Sequence, residues 1–128
     1  MSKIPKYRVW FKGKKMFQVS ELHWANGGLK WRGSKNEEGW IHVEPQYKKE
    51  LKVDSILMTF TGVYDRLKQE VWEDDILIWP ESNRKRYYRV EWDEDEHCWA
   101  ANRKDDSSWL FGSFEVVGNA HELPDLVK

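Results

Sequence analysis

Two short segments of the sequence each place an arginine and an aromatic residue two positions apart. Arg8 and Trp10 form one pair, and Tyr87 and Arg89 form the other. Residues two apart on a β-strand share one face and lie roughly 7 Å from each other. The ring can stack on a base or a partner side chain while the guanidinium meets a phosphate or carboxylate. These four residues are the candidate binding surface. The alternative is that they form cation–π pairs which only shield the sheet.

Further basic residues are interleaved with aromatic residues, as in β folds that bind single-stranded nucleic acid. They form three sets, which are Arg8, Trp10, Lys12, Lys14 and Lys15, then Lys30, Trp31 and Arg32, and last Arg84, Lys85, Arg86, Tyr87 and Arg89. The structural alternative is that the aliphatic stems of lysine and arginine cover aromatic edges. Nucleic acid is therefore one candidate partner that the pattern supports.

Carboxylates are concentrated in the run from Asp93 to Glu96, which precedes His97 and Cys98. A calcium-binding EF-hand loop that begins at Asp93 needs glycine at its sixth position and glutamate at its twelfth. Those positions hold Cys98 and Lys104. Zinc needs further histidine or cysteine ligands, and Cys98 is the only cysteine. The run is therefore predicted to be a solvated hairpin turn, and no metal site is predicted.

A second acidic group, Glu73-Asp74-Asp75, has the composition of paired catalytic carboxylates. General acid–base catalysis needs one pKa displaced by burial or by a close neighbour. Three consecutive acids before a strand are more typical of a polar turn, in which Asp75 accepts hydrogen bonds from backbone N–H groups. Cys98 lies in an apolar strand and is predicted to be a buried, inert thiol. Since the sequence holds no phosphate-binding or nucleophile motif, we predict a protein that is not an enzyme and uses no cofactor.

The length and charge of the chain limit what it can be. The 128 residues fit one compact domain, so a single domain over residues 1–128 is predicted. Lys plus Arg number 21 and Asp plus Glu number 22, and this net charge of −1 excludes a uniformly basic nucleic-acid binder. Residues 1–64 nevertheless hold 12 basic and 6 acidic side chains, whereas residues 65–128 hold 9 and 16. The two halves either form separate charged faces or interleave so that the asymmetry cancels.

The distribution of apolar residues predicts whether the chain enters a membrane or is secreted. No apolar run approaches the roughly 18 residues of a membrane-spanning helix, and Met1 begins a polar segment without the apolar region of a signal peptide. A soluble protein of the cytoplasm, without a membrane partner, is predicted.

The nine tryptophans exceed what a small core holds, so some are expected at the surface. The alternative is that aromatic residues replace leucine and isoleucine in a β core.

Short aromatic and β-branched runs alternate with turn residues, which predicts antiparallel strands and not βαβ units. Asn26-Gly27 is the strongest hairpin signal, because these residues accept positive φ. Pro45 to Lys52 is predicted as a short helix. The fold class is therefore mainly β, with antiparallel strands in a small barrel or rolled sheet (SH3-like or related) and one or two short helical turns. The predicted strands are 7–11, 16–19, 22–24, 29–31, 40–43, 56–60, 76–79, 87–92, 97–101, 108–111 and 115–117.

The strictest alternation in the sequence lies in the strand predicted over residues 87–92. It places Tyr88, Val90 and Trp92 on one face, which is predicted to be the core face. Trp92→Ala is then expected to cost about 3–5 kcal/mol, the range for truncation of a buried large aromatic residue. The positions predicted to face outward are Tyr87, Arg89 and Glu91 here, and Arg8 and Trp10 in the first strand.

Four segments, spread over nearly the whole chain, follow the pattern of a known family in the expected order. They are Lys6–Trp10 with Lys15, Met16 and Val19; Leu57, Met58, Phe60–Gly62 and Asp65 with Glu73–Ile76; Tyr88–Asp93; and Val116–Asn119 with Glu122, Pro124 and Leu126. Together they resemble the YopX family, small proteins encoded mostly by bacteriophages and prophages of Gram-positive bacteria.

This resemblance implies a mainly β fold and a phage or prophage origin. It implies no activity and supplies no catalytic residues. The chain departs from the family pattern where Arg66-Leu67-Lys68 replaces an Asn-Gly-type turn, and where Asp74 replaces the usual glycine before the Asp-Ile pair. The connection from Asp65 to Asp75 is therefore expected to differ here.

The sequence thus predicts a phage-encoded accessory protein that acts by binding an unidentified macromolecule of the host or the phage. One hypothesis is a single-stranded nucleic-acid-binding module that uses the basic and aromatic strand faces. Another is an inhibitor or modulator of a host protein, such as a defence component, that uses the charge asymmetry. A small enzyme is disfavoured because no motif supports it. Salt-sensitive oligonucleotide binding favours the first hypothesis, and nuclease-insensitive capture of one host protein favours the second.

Overall fold

The computed structural model describes residues 6–81, 85–104 and 106–127, so Arg84 and the polar segment at Met1 lie outside the described residues. Within these ranges the protein has twelve strands, three short 3-10 helices and no α-helix, and the mainly β prediction is confirmed. The chain divides into two compact units, Met1–Thr59 and Phe60–Lys128. We call them the N-terminal unit and the C-terminal unit. The single domain over residues 1–128 stays a prediction.

The N-terminal unit contains two antiparallel sheets. In the first, β1 (Tyr7–Phe11) lies between β2 (Lys15–Gln18) and the first part of β6 (Ser55–Tyr64). In the second, β4 (Gly28–Arg32) lies between β3 (Glu21–Ala25) and β5 (Glu38–Val43). All six strands coincide with predicted ones, because each combines aromatic or β-branched residues with flanking turn residues.

The β3–β4 hairpin turns through Asn26-Gly27, whose φ angles of 49° and 98° confirm the sequence signal. A side chain at Gly27 would overlap the ring of Tyr47, which is the last residue of the 3-10 helix Pro45–Tyr47. The helix predicted over Pro45–Lys52 is helical only in this first turn. None of its residues is buried, and so short a segment is not stable as a helix without a buried face.

Trp31 is the centre of the N-terminal unit's core and is fully buried. Its ring stacks on Phe17 and meets Phe11 edge-on, with 5.6 Å between ring centroids in both pairs. Its Nε1–H donates to Ser55 Oγ at 2.7 Å, and Ser55 donates in turn to Asp54 Oδ1 at 2.8 Å. Because Phe11 and Phe17 come from β1 and β2, these contacts join the two sheets of the unit.

The C-terminal unit contains a five-stranded antiparallel sheet and a hairpin. The hairpin pairs the second part of β6 with β7 (Glu70–Trp72). The other strands are β8 (Asp75–Ile78), β9 (Tyr87–Asp93), β10 (Cys98–Arg103), β11 (Asp106–Ser108) and β12 (Glu115–Asn119). They form a sheet in the order β11-β10-β9-β8-β12. The remaining 3-10 helices are Phe111–Ser113 and Pro124–Val127.

Two elements of this unit differ from the sequence prediction. The strand β7 has no counterpart among the predicted strands, because three residues are too few to show alternation. The strand expected over 108–111 lies instead at Asp106–Ser108, and Phe111 begins a 3-10 helix whose ring is buried. Phenylalanine has a high strand propensity, but at Phe111 burial of the ring in the core outweighs that propensity.

The core of the C-terminal unit consists of Val71, Leu77, Tyr88, Val90, Ala101, Phe111 and Phe114. The inward orientation predicted for Tyr88 and Val90 is confirmed, whereas that of Trp92 is wrong, since Trp92 is 47% exposed. The alternation itself continues, with Val90 opposite Ala101 and Trp92 opposite Trp99. Trp92 lies beyond the end of the core, where its ring packs edge-to-face with Trp99 at 5.3 Å between centroids. The expected cost of Trp92→Ala therefore falls well below 3–5 kcal/mol.

Asp65 is a buried carboxylate that fixes the turn between β6 and β7. Its Oδ1 accepts hydrogen bonds from the backbone N–H groups of Leu67 and Gln69 at 2.8 and 2.9 Å. Its Oδ2 accepts one from Val116 at 3.0 Å, which attaches the turn to β12. Lys68 has a φ of 67°, so the turn uses the left-handed conformation although it lacks glycine.

The boundary between the two units coincides with the charge asymmetry of the sequence. Residues 60–64 carry no charge, so the N-terminal unit holds 12 basic and 6 acidic side chains and the C-terminal unit holds 9 and 16. The excess of basic side chains and the excess of acidic side chains therefore belong to different compact units. Four of the nine tryptophans are well exposed, which confirms the expectation of surface tryptophans; they are Trp24, Trp79, Trp92 and Trp109.

Candidate functional site

The four predicted binding residues divide between the two units, with Arg8 and Trp10 on β1 and Tyr87 and Arg89 on β9. Trp10 is only 9% exposed and Arg8 is half-buried. The expectation of an outward Trp10 is wrong, because β1 is the central strand of its sheet and residues on both of its sides are covered. Val9 is fully buried on one side, and Met58, opposite Arg8 on β6, is fully buried on the other.

Tyr87 and Arg89 line a cleft of about 770 Å³ in the C-terminal unit. It lies on β9, β10 and β11, on the side away from Tyr88 and Val90. Within it, Asn102 stands opposite Arg89 in the β9–β10 pairing. The cleft is lined by Lys85, Tyr87, Arg89, Glu91, Asn102, Arg103, Lys104, Asp106, Ser107, Leu126 and Val127.

The cleft is cationic, although the unit that contains it is acidic. Its basic side chains are Lys85, Arg89, Arg103 and Lys104, and its acidic ones are Glu91 and Asp106. Asp106 accepts a hydrogen bond from the Tyr88 hydroxyl at 2.5 Å. Among the described residues, no carboxylate lies within 4.0 Å of the charged nitrogens of Lys85, Arg103 or Lys104. Three cations are thus available to an anionic ligand.

Arg89 is held in the cleft by Asp74. The Arg89 Nη2 and Nε groups donate to Asp74 Oδ1 at 2.9 and 3.2 Å, and His121 Nε2 lies 2.8 Å from Asp74 Oδ2. Asp74 has a φ of 67°, a left-handed conformation that glycine adopts freely and aspartate tolerates. Asp74 therefore adopts a turn conformation that favours glycine and supplies a carboxylate that orients the Arg89 guanidinium.

The acidic groups singled out in the sequence stabilise turns. Asp75 Oδ2 accepts a hydrogen bond from the Trp72 N–H at 2.8 Å, and Asp93 Oδ1 accepts from Asp95 and Glu96 at 3.0 and 3.2 Å. The turn predicted before Asp75 is confirmed, and the hairpin turn lies one residue later than predicted, over 94–97, since Asp93 is the last residue of β9. Cys98, predicted to be a buried thiol, is half-buried. In the part of the chain that the structure describes, no group of three or more His, Cys, Asp or Glu side chains could hold a metal ion.

Sequence reasoning missed Asn102, Arg103 and Lys104 as members of the site. The predicted turn at Asp93–Glu96 would place Ala100 opposite Arg89, whereas the observed pairing of Asp93 with Cys98 places Asn102 there. No local signal places Leu126 and Val127 at the cleft, since their position depends on packing of the 3-10 helix Pro124–Val127 near β9.

The pKa of the Tyr88 hydroxyl, below the cleft, is raised by its surroundings. Burial raises the pKa of Tyr88 above its ordinary value of 10.0, and the hydrogen bond to Asp106 raises it further. Folding stability should therefore be unaffected by this group below about pH 10 and should fall as the pH rises through the folded pKa. Alkaline titration followed by phenolate absorbance should show a tyrosine that ionises above pH 10.0. Tyr88→Phe should remove it, and its retention in that variant would contradict the assignment.

Comparisons with known proteins identify relatives over almost the whole chain. A family model described as YopX protein matches residues 6–128. The solved structure of protein EF1440 from Enterococcus faecalis is similar, with a TM-score of 0.65 and 20% identity over 99% of this chain and 100% of that chain. Protein yopX from Bacillus subtilis is similar with a TM-score of 0.57 and 18% identity, over 96% and 98% of the two chains. No curated protein matches the chain.

Within residues 6–81, 85–104 and 106–127, no helix has the length and apolar character needed to cross a bilayer.

Proposed function

The chain belongs to the YopX family, and we propose that it is a phage- or prophage-encoded accessory protein that binds single-stranded nucleic acid without catalysing a reaction. The proposed binding site is the cleft of the C-terminal unit. The proposed place of action is the cytoplasm of the host cell.

The observation that carries the proposal is the set of three cations without a carboxylate partner, among the described residues, beside Tyr87. Proteins that bind single strands combine cations that follow the backbone with aromatic rings on which bases stack. Lys85, Arg103 and Lys104 are available for phosphates, and Tyr87 offers a ring on the same strand as the oriented guanidinium of Arg89. The local positive charge stands out because the surrounding unit carries an excess of acids.

A second candidate function is inhibition or modulation of a host protein. Trp109 and Leu110 are 51% and 71% exposed and directly follow β11, the edge strand of the five-stranded sheet. Adjacent exposed apolar residues that include a tryptophan are typical of protein interfaces. Under this alternative, Trp109→Ala with Leu110→Ala should abolish nuclease-insensitive capture of a host protein while leaving oligonucleotide binding unchanged.

Removing two cations of the cleft should weaken oligonucleotide binding strongly. For a protein bound to a single strand, the slope of log affinity against log salt changes by about 0.7 for each phosphate that the protein neutralises. Lys85→Gln with Lys104→Gln should therefore lower affinity for a fluorescein-labelled oligothymidylate roughly 25-fold at about 0.1 M salt. Both lysines are exposed, so the fold should be retained. Fluorescence anisotropy at several salt concentrations measures both the affinity and its salt slope.

The matched control is Arg66→Gln with Lys68→Gln, which removes the same charge from the same unit at exposed positions that do not line the cleft. This control should change the affinity no more than about threefold, the effect of a general change in field. Equal losses in the two double variants would show that net charge and not the cleft determines binding. Absence of binding by the unmodified protein would refute the proposed function.

A further inference from the structure

Six exposed lysines lie on the turn between β1 and β2 and on residues 48–52, which lead into β6. Phe11 at the end of β1 pairs with Ser55 at the start of β6, and the Lys12 N–H donates to the Asp54 carbonyl at 2.7 Å. The β1–β2 turn therefore lies beside the segment that leads into β6. We call the exposed lysines of these two stretches the lysine end; they are Lys12, Lys14, Lys15, Lys48, Lys49 and Lys52.

The lysines of the lysine end form no ion pair within the described residues. Among them, no carboxylate lies within 4.0 Å of any of these six ammonium groups. The cations of the second sheet behave differently, since Lys30 and Arg32 pair with Glu38 at 3.0 and 3.6 Å. Those neighbours hold the pKa of Glu38 below its usual value, with Lys30 contributing most. The lysine end thus contains six of the twelve basic residues of the unit.

We propose that the lysine end is a second phosphate-binding surface, which contacts the backbone of a single-stranded nucleic acid. The proposal rests on the proposed function for the identity of the ligand. Lysine provides a point charge suited to phosphate, and counterion release makes several adjacent lysines an effective polyanion site. The turn Lys12-Gly13-Lys14-Lys15 has no apolar side chain to insert into a bilayer, which favours a nucleic acid over a membrane surface.

Replacing three lysines of the turn should reduce the salt dependence of oligonucleotide binding. For Lys12→Gln, Lys14→Gln and Lys15→Gln together, the slope of log affinity against log salt should become shallower by about 2, and affinity should fall roughly 100-fold at about 0.1 M salt. The triple variant Lys48→Gln, Lys49→Gln and Lys52→Gln should also make the slope shallower. Anisotropy titration of the full chain with labelled oligothymidylate measures these values, and circular dichroism verifies that each variant is folded.

The matched control is Lys30→Gln, Arg32→Gln and Lys35→Gln, which removes three charges from the same unit outside the lysine end. It should leave the slope within about 0.5 of the unmodified protein, since these positions lie outside the lysine end and the ion-paired Lys30 and Arg32 release few counterions on binding. If this control and the turn variant give equal losses, the lysine end is not a specific surface and the inference is overturned.

The outcomes separate this inference from the proposed function. Loss in the lysine variants with unchanged binding by Lys85→Gln/Lys104→Gln would support the lysine end and refute the cleft. Loss in the cleft variant alone would overturn the lysine end and keep the cleft. Vesicles of equal parts phosphatidylcholine and phosphatidylserine provide the other arm, because Val53 beside Lys52 is exposed. Binding to these vesicles, without binding to the oligothymidylate, would overturn both nucleic-acid assignments.

Discussion

Replacing Asp65 by alanine should lower the free energy of unfolding by about 3 kcal/mol, a large part of the 5–15 kcal/mol typical of a small protein. The carboxylate is 3% exposed and accepts three backbone hydrogen bonds, from Leu67, Gln69 and Val116. Hydrogen bonds to a charged group contribute about 1.5–3 kcal/mol each, and the N–H groups of the two exposed turn residues regain part of this from water. Urea denaturation followed by circular dichroism measures the loss.

The conservative variant and a control sharpen this test. Asp65→Asn keeps one acceptor oxygen and should cost about half as much as alanine, because its amide NH₂ group faces a backbone donor. Asp95→Ala removes an exposed carboxylate of the same unit and should change stability by less than about 0.5 kcal/mol. A cost below about 1 kcal/mol for Asp65→Ala would mean that the turn and β12 do not depend on this carboxylate.

Trp31→Ala should destabilise the protein by about 3–5 kcal/mol, the range for truncation of a fully buried large aromatic residue. The substitution removes the stacking on Phe17 and the edge packing against Phe11, and it leaves the Ser55 hydroxyl without its donor. Trp31→Phe keeps an aromatic ring and should cost less. Denaturation followed by far-ultraviolet circular dichroism is the suitable measurement, since the substitution itself changes tryptophan fluorescence.

Trp24→Ala is the matched control for this prediction. Trp24 lies on β3, next to the strand of Trp31, but it is 64% exposed, and its ring packs edge-to-face with His42 at 5.9 Å between centroids. Its truncation should cost less than about 1 kcal/mol. If the two substitutions have similar costs, the core of the N-terminal unit is not organised around Trp31.

Strand positions and hairpin turns were predictable from the sequence because they depend on neighbouring residues. The Asn26-Gly27 turn and the alternation of Tyr88 and Val90 are examples, and the structure confirms both. For Trp10 and Trp92, alternation gave the wrong exposure. Alternation assigns a residue to one side of a strand, but whether that side is covered depends on the position of the strand in its sheet and on the extent of the core. Both are set by contacts that are distant in sequence.

For the same reason, only part of the candidate site could be predicted from the sequence. Tyr87 and Arg89 follow from alternation on one strand, whereas the position of Asn102 opposite Arg89 requires the observed register of the β9–β10 hairpin. The orientation of Arg89 by Asp74 joins residues 15 apart, and the contact with His121 adds a partner 47 residues from Asp74. The lysine end similarly requires the pairing of Phe11 with Ser55. No local pattern encodes these pairings, since each depends on the arrangement of the sheets.

The central claim is that the cleft of the C-terminal unit binds single-stranded nucleic acid. Chemical-shift mapping by nuclear magnetic resonance tests it most directly, with oligothymidylate added to the isotope-labelled full chain. The amide signals of residues 87–91 and 102–104 should shift progressively and saturate, and Lys85→Gln with Lys104→Gln should reduce these shifts. Saturating shifts confined to residues outside the cleft, or no shifts at low salt, would contradict it.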